Sequence, residues 1–436
     1  MGFYFSLFVL ILVVTLSRVA WKPARIFEYP YFMAGVFAVF ILPQAYSLML
    51  FPGGVRTSSI EDVLLMTCLC LGAGILGYQA PIYSRGFHFL TRPLDPGRLF
   101  HFGLGMIMVG TVAYLLIPTE ESRFGSRGGL TGVVVIYLFF VGLAPAGFAV
   151  CLLLFRQKPS IIRGLAVAIG IIIPGMAIYA GRREAAVTFG LTLALTRYFT
   201  TGKPLPRVAV FGALLFAMLA IPATGTYRGL VKEGRADQVM KIDVYKIFET
   251  FVKQESILEL RNAAAIIDST KMSDHYNWGS SYWNQMVFRF VPAQIVGMDL
   301  KNGLMLGRGS VQQIYRGNEH LKFEISPGST NTGMADSFEE FGWLGCLFFF
   351  FVAMLFRTVW TAALHSQALF AQLFYIMVCS SGMRTVTHQT VDFFPGMVYQ
   401  LIFLSIGFWY AAVPQPKVQP ARGRYVARPM GRGRRS

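Results

Sequence analysis

An all-α polytopic membrane protein is the fold class this sequence predicts, and three observations predict it. The 436 residues are 54% hydrophobic and 15% aromatic but only 14% charged, which is more apolar surface than a soluble core of that length hides. The apolar residues fall in runs close to the ~20 residues that a helix, rising about 1.5 Å per residue, needs to cross the hydrocarbon of a bilayer. These runs stand in series, about eleven of them, where a single one would read as a buried core helix.

The first run, Gly2 to Ser17, leads into SRVAWKPARIF without a small-residue cleavage pattern, so it is expected to stay as a helix. Seven more follow at Tyr31 to Leu50, Val63 to Tyr78, Leu99 to Ile117, Val133 to Leu154, Leu165 to Tyr179, Ala185 to Tyr198 and Ala209 to Ile221. Together they make an amino-terminal bundle over residues 1–221. Pro174 stands inside one run, where neighbouring helices must satisfy the carbonyl it frees. Residues 222–336 form one long extramembrane segment. Three further runs, Leu344 to Phe356, Ala368 to Ser380 and Met397 to Ala412, fill residues 337–412, and residues 413–436 are a basic tail. The five cysteines, Cys68, Cys70, Cys151, Cys346 and Cys379, all fall in apolar runs and read as packing residues, with no disulfide framework or metal spacing.

Basic residues in short loops resist export and so orient the chain. The loops carrying Arg18, Lys22 and Arg25, then Arg85, Arg92 and Arg98, then Arg156, Lys158 and Arg163, then Arg197, Lys203 and Arg207 share one side if there are eleven spans. The tail PKVQPARGRYVARPMGRGRRS joins them. That side is expected to be cytoplasmic, with the amino terminus outside and the carboxyl terminus inside. The formal net charge of +17 is largely this asymmetry. The tail reads as an anchor to anionic membrane lipid, each basic residue gaining on the order of 1 kcal/mol near the surface, and no nucleic-acid partner is expected.

Against this pattern stands MAIYAGRREAAVTFG, a turn on the outer side that carries Arg182, Arg183 and Glu184. Lipid anchoring, or pairing with Glu184, explains such charges plainly. A clamp for a phosphorylated ligand explains them more sharply, because guanidinium presents a fork of donors that matches phosphate oxygens. The long segment on the same side begins with ATGTYRGLVKEGR, which sets Arg228 just beyond a span end. Val239, Ile242, Ile247, Phe248, Phe251 and Val252 then recur at helical spacing among charges, the pattern of helices lying on the membrane or against the bundle. Tyr282, Trp283, Phe288 and Phe290 read first as interfacial anchors, while Arg261 and Arg289 read first as helix-surface residues. The polar stretch YRGNEHLKFEISPGSTNTGMADS reads as a loop able to cover a cleft.

Two acidic or basic groupings remain. DSFEEFGWLG places Asp336, Glu339 and Glu340 before the ninth run, where Ser337 and Glu340 have the spacing of a capping box. That reading covers the serine and one glutamate, but not three carboxylates facing an arginine-rich surface. SGMRTVTHQTVDFFPG brings Arg384, His388 and Asp392 at spacings of four, one face of a helix, with a histidine able to exchange protons near neutral pH. No ligand set for a metal is seen, and none is expected.

The multi-span layout with one large outer segment, the AGRREA turn and the FEEFGWLG entry resemble the bacterial O-antigen polymerases, the Wzy-type oligosaccharide repeat-unit polymerases. The likeness covers most of the chain as a pattern but only these two motifs residue by residue: Gly181, Arg182 and Arg183 in the turn, and Phe338, Glu340, Gly342 and Gly345 in the entry. Where many members carry glycine, serine and arginine, this chain has two arginines, so either one can be the match. The resemblance implies a GT-C-like glycosyltransferase in the bacterial inner membrane. Such an enzyme joins oligosaccharide repeat units carried on undecaprenyl diphosphate at the periplasmic face, without metal or other cofactor, and has a chain-length regulator as a partner. On that reading Arg182, Arg183, Arg228 and Arg384 are diphosphate ligands and Glu340 or His388 is the base, with Glu339, Asp336 and Asp392 as second choices. Two alternatives stay open: a ligase that moves finished polymer from the same carrier to another acceptor, and a flippase or transporter. The latter is disfavoured by the lack of internal repeats.

Overall fold

The structure, a computed structural model, describes residues 2–81, 89–117, 134–253, 259–307, 330–365 and 368–413. Arg85, most of the polar stretch after Gly307 and the basic tail from residue 414 lie outside these residues. Among the described residues the chain is helical, with no strand beyond a bridge between Leu94 and Ala412. Among the described residues, ten helical segments are long and apolar enough to cross a membrane. They are α1 (Phe3–Trp21), α2 (Tyr29–Leu50), α3 (Thr57–Gly77), α4 (Pro96–Leu115), α5 (Val134–Gln157) and α6 (Ile161–Tyr179), and then, beyond one more helix, α8 (Arg207–Lys232), Gly333–Ala363, Leu369–Thr387 and Thr390–Ala411. The protein is therefore a polytopic all-α membrane protein.

The helix between α6 and α8, α7 (Arg183–Thr201), is diluted by Arg183, Glu184, Arg197 and its threonines and does not reach that apolarity. It still runs the length of its neighbour. Glu184 at its start meets Arg384, near the end of Leu369–Thr387, and Phe199 near its end meets the edge of Tyr375 in the first half of that helix. The two helices therefore lie side by side and antiparallel. The hydroxyls of Thr192, Thr200 and Thr201 bond carbonyls one turn back, which satisfies them where water is scarce.

In lipid, helices are held by close packing and hydrogen bonds more than by apolar burial. The α4–α5 pair shows how: a Cβ on Gly147 would lie 2.5 Å from the Gly103 carbonyl oxygen, so only glycine lets these backbones approach. Four of the five cysteines are buried and the fifth is partly so.

Pro222 was expected to begin the extramembrane segment. Instead α8 continues through it to Lys232. A proline in mid-helix frees one carbonyl, a loss tolerated in membrane helices when neighbours compensate. Beyond α8 come α9 (Val244–Lys253), α10 (Glu259–Ser273), α11 (Ser280–Phe290), α12 (Ala293–Val296) and α13 (Met298–Gly303). Of these, α10 belongs to the core: Leu260, Ala263, Ala264, Ile266 and Ile267 are wholly buried.

The span Gly333–Ala363 is two helices, α14 (Gly333–Phe341) and α15 (Leu347–Ala363), joined by a 3-10 turn over Gly342–Cys346. Since α14 starts at Gly333, Ser337 lies in mid-helix and bonds the Met334 carbonyl, so the expected capping box with Glu340 does not form. The strained backbone of Thr332, at φ 63°, turns the chain into the helix five residues earlier than the capping pattern suggested. Next come α16 (Leu369–Thr387), the most enclosed helix with 89% of its apolar window buried, and α17 (Phe393–Ala411), entered through the 3-10 turn Thr390–Asp392. By contrast α6 and α8 bury only 22% and 11% and form the periphery.

Candidate functional site

The α6–α7 turn is shaped by Gly181, whose φ of +74° and close neighbour leave no room for a side chain: a Cβ there would lie 2.6 Å from Arg228 Cγ. The end of α8 lies on this turn and caps it. Arg228 Nε donates to the Gly181 carbonyl at 2.9 Å and Tyr227 donates its hydroxyl to the Tyr179 carbonyl at 2.9 Å, satisfying carbonyls that a helix end leaves without partners. Arg182 and Arg183 both act electrostatically on Arg228. Burial pulls the Arg182 guanidinium below its ordinary pKa, opposed by Glu184.

From this turn two ion pairs reach outward. Arg183 Nη2 lies 3.8 Å from Glu259 Oε1 at the start of α10, and Glu184 Oε1 lies 3.0 Å from Arg384 Nε in the last turn of α16. The Arg384 N–H is not aligned on a hydrogen-bond acceptor, so the second contact is charge proximity.

His388 caps the same end of α16, its backbone N–H donating to the Arg384 carbonyl at 2.9 Å. Its Nδ1 is 2.8 Å from the Thr387 hydroxyl, which itself donates to the Met383 carbonyl. The tautomer that satisfies both carries the proton on Nδ1 and leaves the Nε2 lone pair as acceptor. Burial lowers the pKa of the ring; Glu184 and Asp392 pull it up, while Arg384 and Arg183 push it down. Across from it, α11 supplies Arg289. Burial and Arg384 lower the pKa of its guanidinium and Asp392 opposes them. Asp392 itself accepts a bond from Gln285 Nε2 at 2.8 Å. Arg182 and Arg289 are solvent-exposed. Among the described residues, the guanidiniums of Arg182, Arg183, Arg228, Arg289 and Arg384 lie within electrostatic reach of one another or of the Glu184, Glu259 and Asp392 carboxylates.

The acidic residues of α14 have a different setting. One Asp336 oxygen accepts from the Thr390 hydroxyl, the Thr390 N–H at 2.7 Å and the Val391 N–H at 3.0 Å, fastening the turn that opens α17. Tyr282 donates to the same Thr390 hydroxyl at 2.8 Å and stacks on Phe341 and Phe348, so it is half-buried against α14 and α15. Glu340, buried to 1% exposure, accepts from the Gly279 N–H at 2.8 Å and holds the start of α11. The Glu339 and Glu340 carbonyls accept from the Asn277 and Trp278 N–H groups, both at 3.0 Å. These contacts make Asp336 and Glu340 positioning residues, one beneath His388 and Asp392, the other beneath Arg289.

The structure brings Arg182, Arg183, Arg228, Arg384, His388 and Asp392 to one cluster and sets Glu340 on the Gly279 N–H instead. Arg261 donates to the Phe51 carbonyl at 3.1 Å, a helix-docking role. Glu259 was missed by sequence reasoning. The available signal was its register with Ala263 and Ile266 on the apolar face of α10, an acid where burial demands a partner. Among the described residues no group of three or more His, Cys, Asp or Glu side chains gathers to hold a metal ion. No family model matches the chain, and neither does any curated protein or solved structure.

Proposed function

We propose that the protein is a membrane glycosyltransferase that polymerises oligosaccharide repeat units carried on undecaprenyl diphosphate, with its arginine cluster at the periplasmic face of a bacterial inner membrane. The feature that carries this reading is the gathering of the Arg182, Arg183, Arg228 and Arg384 guanidiniums beside the His388 ring, with Arg182 and Arg228 solvent-exposed. A hydroxyl of the incoming lipid-linked unit attacks the anomeric carbon of the growing chain. The bond from that carbon to the diphosphate oxygen breaks, the hydroxyl proton passes to His388 Nε2, and the lipid diphosphate leaves.

Each step has a matching group. Guanidiniums fixed before the reaction stabilise charge as it grows on the leaving diphosphate, an effect that for one donor is worth about 3 kcal/mol. His388 has its pKa held low by burial and is unprotonated at neutral pH, as a base must be; proton transfer of this kind contributes ~10² to 10⁴ in rate. Asp336 and Glu340 do not take the proton but hold the turn and helix that carry the reacting groups. Partners on this reading are the lipid-linked oligosaccharide, the surrounding lipids and a chain-length regulator.

The test is to incubate purified protein with lipid-linked repeat units and score the products. Longer lipid-linked chains are the expected outcome. Transfer only onto a non-lipid acceptor identifies a ligase, and unchanged substrate with movement across vesicles identifies a transporter; either overturns the proposal.

A further inference from the structure

Resting on the diphosphate reading above, we infer that Glu184 and Glu259 are specificity-determining counter-ions, which make the arginine cluster select a ligand with two linked phosphates over one with a single phosphate. The surrounding bilayer poses the problem. A cluster of guanidiniums beside lipid meets monophosphate headgroups at very high local concentration and would be filled by them.

The two carboxylates stand in the way. Arg183 and Arg384, on different helices, are each held by one: Arg183 by Glu259 at 3.8 Å, Arg384 by Glu184 at 3.0 Å. Glu184 follows Arg183 directly in the chain, so the two pairs form one chain of alternating charges, Glu259, Arg183, Glu184, Arg384. Both pairs are loose, one long and the other off the hydrogen-bonding line, so a stronger anion can replace either carboxylate. Glu259 is 8% exposed, so once displaced it stays close to the ligand and repels it.

A single phosphate trades one carboxylate for itself and then faces the other. A diphosphate bridges Arg183 and Arg384, releases both carboxylates, and has oxygens left for Arg182 and Arg228. Selectivity thus comes from a repulsive element as well as an attractive one.

The test uses the full-length protein in detergent with matched probes, geranylgeranyl diphosphate and geranylgeranyl monophosphate, and with inorganic pyrophosphate and phosphate to separate headgroup from tail. For the native protein the diphosphate is expected to bind at least tenfold more tightly than the monophosphate. Glu184→Gln with Glu259→Gln keeps shape but removes charge. Monophosphate affinity is then expected to rise about tenfold or more while diphosphate affinity changes less, so the ratio collapses. Glu259→Gln alone, with Glu184 intact, is expected to give an intermediate ratio and guards against misfolding of the double variant. An unchanged ratio in folded variants overturns the counter-ion inference while leaving the diphosphate reading intact. No diphosphate binding by the native protein overturns that reading, and this inference with it.

Discussion

Two charged regions lie side by side at one end of this bundle, and they are built in opposite ways. Around α14, Asp336 and Glu340 are buried and each oxygen that matters accepts from backbone N–H groups. Around the α6–α7 turn, side chains face other side chains and the arginines stay in touch with solvent. Charge met by the backbone is architecture, because the donors cannot move without the helix moving. Charge met by another side chain is available for exchange with a ligand.

The contrast can be broken on either side. The largest effect is expected from Asp336→Ala, which strands two backbone N–H groups and a hydroxyl in a buried place at a cost on the order of 3 kcal/mol or more. Thermal unfolding in detergent should show a large loss of stability, and a near-native midpoint would move Asp336 out of the architectural class. Arg384→Lys is expected to do the reverse. Lysine keeps the charge but loses the fork, so polymer formation should drop by ~10²-fold with little change in melting; full activity would remove Arg384 from the diphosphate site.

A smaller and graded effect is expected with pH. Burial depresses the His388 pKa in the folded chain relative to its ordinary value of 6.5. The neutral form is therefore present at pH 7, and activity should fall as pH drops through the depressed value, below 6.5. The stability contribution has the same sign, complete above the unfolded pKa and lost as pH falls through the folded one. His388→Gln should abolish this acid limb of the rate profile, and its survival would assign the proton to another group. The smallest change is expected from Tyr282→Phe, which removes one hydrogen bond to Thr390 but keeps the stacking on Phe348, costing about 1 kcal/mol in unfolding free energy with the rate nearly unaffected.

Much of the fold could be read from the sequence, because a bilayer demands long apolar runs and imposes few other choices. The helix α7 is too polar to qualify as a span by composition, but its apolar run from Ala185 to Tyr198 was legible. Pro222 misled for a physical reason: in water a proline ends a helix, but in a membrane the helix is the cheapest way to satisfy the remaining backbone. Ser337 and Glu340 misled because capping spacing is local, whereas the start of α14 is set by the bend at Thr332. For the site, the arginines stood out against the expected sidedness of charge. Glu259 did not, since its partner Arg183 is far away in the chain and only the docking of α10 brings them together.

Arg182 and Arg228 meet where the turn after α6 touches the end of α8, and these are the two least enclosed spans of the bundle. On the proposed reading a ligand with a long polyprenyl tail reaches these arginines sideways, its tail remaining among the acyl chains.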